Sequence, residues 1–172
     1  MLKSDLARRI REVCYLEGNF TLSSGKKSNY YLDKYLFTTQ PYLLEKIIKK
    51  MVPLISPETD KLAGTELGAI PIVTALSLQT KIPFVIIRKK GKEYGTGKKI
   101  EGELNSWDKV TLIEDVLTTG RQTLRGAEIL EKEKAIVIEI IAVIDREEGA
   151  RKKITEKGYK LKVLFTKREL GI

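Results

Sequence analysis

No histidine occurs among the 172 residues. That absence excludes Ser–His nucleophilic catalysis, His-ligated zinc and any acid–base step that needs imidazole near neutrality. Cysteine occurs once, at Cys14, so no internal disulfide can form. Its place in the pattern Leu6, Ile10, Val13, Leu16 predicts a small buried core residue rather than a nucleophile. Any metal would be a hard cation held by oxygen atoms, together with its substrate. Long apolar runs are missing too. The most apolar segment, Ala135 to Ile144, is interrupted by Glu139 and is too short to span a bilayer. The charged opening Met1-Leu-Lys-Ser-Asp-Leu-Ala-Arg-Arg lacks the apolar centre of a signal peptide, which predicts a cytoplasmic protein without membrane contact. There is no Walker A pattern, which disfavours a nucleotide triphosphatase of that class. Internal repeats, low-complexity tracts and an obvious linker are also absent, so one domain over residues 1–172 is expected.

What is present suits a soluble globular chain: 42% apolar and 32% charged residues. The formal net charge of +9 suggests a polyanionic partner, and nucleic acid has to be weighed. The basic residues are spread along the chain, however, with one dense cluster from Arg88 to Lys99. Abundant Lys, Glu and Ile with few Met and Cys would suit a thermophile.

Helical spacing of apolar residues predicts a helix over 4–17, and Phe20 to Asp33 reads as a turn followed by a short strand or hairpin around Asn29–Leu32. Pro41 to Val52 reads as a second helix, ended by Pro53 and Pro57. From there strands and helices alternate. Strands are predicted at 61–64, 83–87, 109–113, 135–145 and 161–165, and helices at 68–79, 121–133 and 148–157. A polar loop runs from Arg88 to about Trp107. Continuously apolar strands alternating with helices imply an α/β fold with a mostly parallel central sheet flanked by helices. Ligands of such sheets bind beyond the carboxyl ends of the strands, so Arg88, Glu114, Asp115 and Arg146 should converge there.

The most informative stretch is Val110-Thr-Leu-Ile-Glu114-Asp115-Val-Leu-Thr118-Thr119-Gly120-Arg121-Gln122. An apolar strand ends in two carboxylates, and a Thr/Thr/Gly turn then opens a helix. Carboxylates accept hydrogen bonds from sugar hydroxyls, while free N–H groups at a helix start hold phosphate. In a continuing strand the two acids would face opposite ways; at a strand end both can bend toward one ribose. The element closely resembles the phosphoribosyl pyrophosphate (PRPP) motif of the type I phosphoribosyltransferases.

Other segments extend the likeness. Arg88-Lys-Lys-Gly-Lys92-Glu-Tyr94-Gly-Thr-Gly-Lys-Lys-Ile-Glu-Gly102 joins many cations to glycine hinges after a core strand, a composition suited to a lid over pyrophosphate. Ala63-Gly-Thr-Glu66-Leu-Gly68-Ala-Ile-Pro71 offers a glycine turn whose backbone can approach pyrophosphate. Phe20-Thr-Leu-Ser23-Ser24-Gly25-Lys26-Lys-Ser28-Asn-Tyr-Tyr31-Leu-Asp33 is similar to the hood over the base, and Ile144-Asp145-Arg146 places a guanidinium fork after a strand. In this order, from about Phe20 to Gly149, the elements resemble the orotate phosphoribosyltransferase family in its compact single-domain form, without a fused decarboxylase.

The resemblance implies the type I phosphoribosyltransferase fold with a small hood mainly from residues 1–35 and a mobile catalytic loop at about 88–107. It implies transfer of phosphoribosyl from PRPP to orotate, with Mg²⁺ held largely by the substrate and no protein metal ligands assigned. Arg88, Lys89, Lys92 and Tyr94 would meet the pyrophosphate. Glu114 and Asp115 would take the ribose hydroxyls, and Val116, Leu117, Thr118, Thr119, Gly120, Arg121 and Gln122 the 5′-phosphate. Thr118 and Arg146 would position orotate, while Lys92 and Asp115 are the catalytic candidates. The family commonly has histidine where Tyr94 stands, and a basic residue where Ser23 stands. A phenol can donate to phosphate but does not titrate near neutrality. A homodimer with a shared loop is implied as well. The alternatives are transfer to another base, and a non-catalytic regulator that binds nucleic acid on the same fold. Arg146 argues for a substrate with a carboxylate, and retention of the lid cations argues against a regulator.

Overall fold

In the computed structural model, which describes residues 1–21, 25, 27–89 and 99–172, the chain opens with α1 (Lys3–Cys14). Leu6, Ala7, Ile10 and Cys14 form its buried stripe. The expected continuation to Glu17 does not occur. Tyr15 turns extended and starts β1 (Tyr15–Thr21), which pairs antiparallel with β2 (Lys27–Leu32). Tyr15 stacks on Tyr30 at 5.5 Å, whereas Leu16, next in the helical pattern, is exposed. Cross-strand aromatic pairing wins over one more turn of helix. Cys14 is fully buried, and burial pushes its thiol up to about 12, as suits a core residue.

A short helix α2 (Lys34–Thr38), which the sequence pattern does not predict, is capped by Asp33 accepting from the Tyr35 N–H at 3.0 Å. It leads into α3 (Pro41–Met51), with Pro41 in its first turn. Then come β3 (Lys61–Thr65), α4 (Ile70–Thr80), β4 (Phe84–Ile87), β5 (Ile100–Glu101), β6 (Lys109–Leu117), α5 (Arg121–Lys132), β7 (Ile136–Asp145), α6 (Ala150–Glu156) and β8 (Leu161–Thr166). The six strands β3 to β8 form one sheet in the order β5-β4-β3-β6-β7-β8, parallel throughout except for β5. The polar loop expected from Arg88 to Trp107 therefore contains a short edge strand.

Both faces of the sheet are covered, as the continuously apolar strands require. On one side Ile113, Ile141 and Phe165 pack with Leu6, Phe37, Ile47 and Leu76 from α1 to α4. On the other, Val110, Leu112 and Ile140 pack with Ala127, Leu130 and Ile154 from α5 and α6. Among the described residues no helix is long and apolar enough to cross a membrane.

One expected boundary fails in a way that matters. β6 does not stop at Ile113 but stays paired with β7 as far as Leu117 opposite Asp145. Two later helices begin after the predicted point. α4 starts at Ile70, behind a turn with a cis Glu66–Leu67 peptide, and α6 starts at Ala150, behind Gly149 at φ +94°.

Candidate active site

Because β6 continues, Glu114 and Asp115 face opposite sides of the sheet. Glu114 turns toward α5: Thr65 Oγ1 donates to its Oε1 at 3.1 Å, and Thr123 adds a second hydroxyl contact. Burial first, and then the neighbouring Asp115, raises its carboxyl from 4.5 to about 8. Asp115 turns toward the hood side. Its Oδ1 accepts the Val116 N–H at 2.6 Å, and its Oδ2 lies 2.8 Å from Lys34 Nζ. The bending of both acids toward one ribose, expected from a strand ending at Ile113, gives way to one acid on each face.

Gly68, in the turn after β3, closes over Asp115. A Cβ at that position would stand 1.6 Å from Asp115 Oδ2 and 3.1 Å from Lys34 Nζ, so the turn can pass this close only with glycine. Beside it, the Lys89 N–H donates to the Glu66 carboxylate, tying the ends of β3 and β4. Arg88 pairs through Nη1 with Glu101 of β5 at 3.3 Å, and its N–H donates to the Lys99 carbonyl at 2.8 Å.

Beyond β6 the chain reaches α5 through Gly120, at φ +75° and packed so near Ala150 that a Cβ would lie 3.1 Å from its Cα. The first intrahelical bond is from Leu124 N–H to the Gly120 carbonyl. The N–H groups of Arg121, Gln122 and Thr123 therefore have no helical acceptor, and with the helix dipole they form an anion cradle. Thr118 is half-buried, while Thr119, Arg121 and Gln122 are exposed beside it. Leu117 is a core residue, 1% exposed, so it can contribute only backbone, and its carbonyl accepts the Arg146 N–H at 2.9 Å. That bond ties the end of β6 to the residue after β7.

Arg146 lies under the hood. Its Nη2 donates to Tyr30 Oη at 3.3 Å, its Nε pairs with Glu148 at 3.0 Å, and its guanidinium stands 5.6 Å from the Tyr30 ring centre. Lys167, just after β8, approaches the same ring at 5.0 Å. Burial alone would raise the Tyr30 phenol, but Lys167 and Arg146 outweigh it and bring it below its ordinary value.

The fold thus brings together Asp115, Gly68, the start of α5 and Arg146 at the carboxyl ends of adjacent strands. Lys92, Tyr94 and Ser23 lie outside the described residues. Lys34 and Lys167 have no sequence pattern pointing to them, because each meets its partner across a long stretch of chain. Among the described residues no three His, Cys, Asp or Glu side chains stand together as a metal cage. A cavity of about 400 Å³ lined by Leu124, Glu131 and Tyr159 lies apart from all these residues.

Comparison with known proteins bears on the family and the fold. Residues 40–164 match the family described as phosphoribosyl transferase domain. The orotate phosphoribosyltransferase of Pyrococcus abyssi is 50% identical over 164 residues, covering 93% of this chain and 90% of that protein. The orotate phosphoribosyltransferase of Mycobacterium tuberculosis in complex with Fe(III) dicitrate superposes with a TM-score of 0.87 at 28% identity, covering 99% of both chains. Its complex with 5-phospho-alpha-D-ribosyl 1-diphosphate (PRPP) gives 0.83 at 26% identity, again over 99% of both.

Proposed function

This chain belongs to the orotate phosphoribosyltransferases, and from that premise we propose that it transfers the 5-phosphoribosyl group of PRPP to orotate. The products are orotidine 5′-monophosphate and pyrophosphate, the phosphoribosyl step of pyrimidine nucleotide synthesis. The bond from ribose C1 to the pyrophosphate oxygen breaks, a bond from C1 to a ring nitrogen of orotate forms, and that nitrogen loses its proton. The observation that carries the reading is the junction of β6 and α5, where Asp115, near the end of the strand, is followed after residues 116–120 by an open helix N-terminus.

In this reading Asp115 accepts from the ribose hydroxyls as positive charge develops on the sugar. Glu114, on the other face, holds α5 through Thr123. The N–H groups of Gly120, Arg121 and Gln122, with the Thr118 and Thr119 hydroxyls and the backbone of Val116 and Leu117, take the 5′-phosphate. Arg146 meets the orotate carboxylate, with Thr118 beside the base. Arg88, Lys89, Lys92 and Tyr94 serve the departing pyrophosphate, whose charge would otherwise oppose bond cleavage. Mg²⁺ would neutralise part of that charge, drawing most of its ligands from pyrophosphate and ribose oxygens beside Asp115. The proposal includes a cytoplasmic homodimer in which the 88–107 loop of one subunit serves the partner's site, with residues 1–172 acting as one domain.

The test is a Mg²⁺-dependent assay of orotate consumption with PRPP, run beside uracil, hypoxanthine and adenine. Turnover of orotate alone is expected. Turnover of another base would move the specificity, and no turnover despite PRPP binding would remove the catalytic reading. Lys92→Ala should lower kcat by about 100-fold with little change in PRPP binding. Undiminished turnover would take Lys92 out of the mechanism.

A further inference from the structure

The Lys34 ammonium is the one side-chain partner that Asp115 Oδ2 has among the described residues, at 2.8 Å. Its backbone is held on both sides. The Asp33 N–H donates to the Cys14 carbonyl at 2.8 Å, the Asp33 carboxylate caps α2, and Phe37 and Thr38 are buried one turn later. The side chain keeps 33% of its surface exposed, while that of Asp115 keeps 4%. Ammonium, carboxylate and the Gly68 turn meet within the space of one methyl group. Burial alone would lower the Lys34 pKa, but Asp115, with Tyr35 and Glu114 behind it, outweighs that and raises it, so the group carries its charge throughout the neutral range. An ammonium has three donors, and one is enough for Asp115.

Resting on the function proposed above, we propose that Lys34 is a further residue of the PRPP site. It holds Asp115 Oδ2 toward the Gly68 turn and gives its remaining N–H donors to the pyrophosphate group of PRPP. One cation for the leaving group then comes from the start of α2, a capped helix anchored by Phe37 and Thr38, and not from the segment between β4 and β5. When ribose hydroxyls approach Asp115 they share its carboxylate with Lys34, which draws sugar and pyrophosphate into register.

Lys34→Gln and Lys34→Arg would be compared with the parent by calorimetric titration with PRPP and with inorganic pyrophosphate, alongside kcat and the orotate KM. In Lys34→Gln both dissociation constants should rise about tenfold or more, with the orotate KM within about twofold of the parent and most of the affinity restored in Lys34→Arg. A Lys34→Gln protein that melts like the parent and binds both ligands as tightly would overturn the proposal. So would parallel loss of orotate and PRPP affinity, which marks a distorted hood. An independent reading needs no variant: pyrophosphate should shield Lys34 from acetylation in the parent, and unchanged labelling would count against the contact. A parent that fails to consume orotate would defeat the assigned function while leaving pyrophosphate binding at Lys34 measurable.

Discussion

The two ends of the central sheet each bury carboxylates, and they treat them differently. At the amino end of the strands, Glu139 of β7 is 2% exposed and fully engaged. Its Oε1 accepts the Ser56 N–H at 2.7 Å and the Thr111 hydroxyl at 3.2 Å, and its Oε2 lies 2.6 Å from Lys162 Nζ. Lys162 also donates to the Leu54 carbonyl, and Thr111 shares a hydrogen bond with Thr59. At the carboxyl end, Asp115 Oδ2 has Lys34 and a glycine turn beside it, with an open helix start a few residues on. A closed network joins strands to the connections beneath them. An acid with one cation and a glycine passing beside it keeps hydrogen-bonding capacity that the protein does not use. The same chemical group is a strut at one end and, in the proposed function, a receptor at the other, and what differs is how much of its hydrogen-bonding capacity the protein itself consumes.

That contrast can be broken by substitution. The largest effect should come from Gly68→Ala, whose methyl group would displace the Asp115 carboxylate. A loss of about 100-fold in kcat/KM for PRPP is expected, the worth of a charge-assisted hydrogen bond, with the orotate KM little changed. An unaltered PRPP dependence would show that the carboxylate is not aimed there. Glu139→Ala should do the reverse, costing about 2 kcal/mol of stability in chemical denaturation while kcat per folded molecule holds. A fall in kcat would join the two ends functionally.

Glu114 sharpens the comparison through pH. Its folded value of about 8 lies above its ordinary 4.5, so the folded chain binds a proton that the unfolded chain has released. The associated stability is complete below about 4.5 and is lost as pH rises through 8, at up to about 1.4 kcal/mol per pH unit. Denaturation curves of Glu114→Gln should lack that slope, and an identical slope in the variant would assign the proton elsewhere. The smallest effect is expected of Arg146→Lys, an increase of about fivefold in the orotate KM from loss of the planar fork. Equal KM values would leave orotate to be held by other groups.

The alternation of strands and helices is legible because its signals are local: apolar runs for β3, β6 and β7, and glycine or proline at the joints. The strand–acid–turn–helix order is legible for the same reason. The facing of Glu114 and Asp115 is not, since it depends on whether β7 keeps pairing with β6 past Ile113. Tyr15 and Leu16 continue a helical spacing, and only their partners across the hairpin reveal a strand. Lys34 meets Asp115 and Lys167 meets Tyr30 through packing of the finished sheet, so neither contact leaves a trace in nearby sequence. The tightness at Gly68 is a property of three elements at once.

β5 is two residues long, yet it brings Glu101 and Ile100 back beside Ile86 and Ile87, and one hydrogen bond joins Arg88 to Lys99. Arg88 and Lys99 are thus fixed to each other at one edge of the sheet. With two ends held together in this way, doubling the number of residues between them costs only about 0.6 kcal/mol. β5 is in effect a clasp, fixing the point beside Arg88 where the chain returns to the sheet.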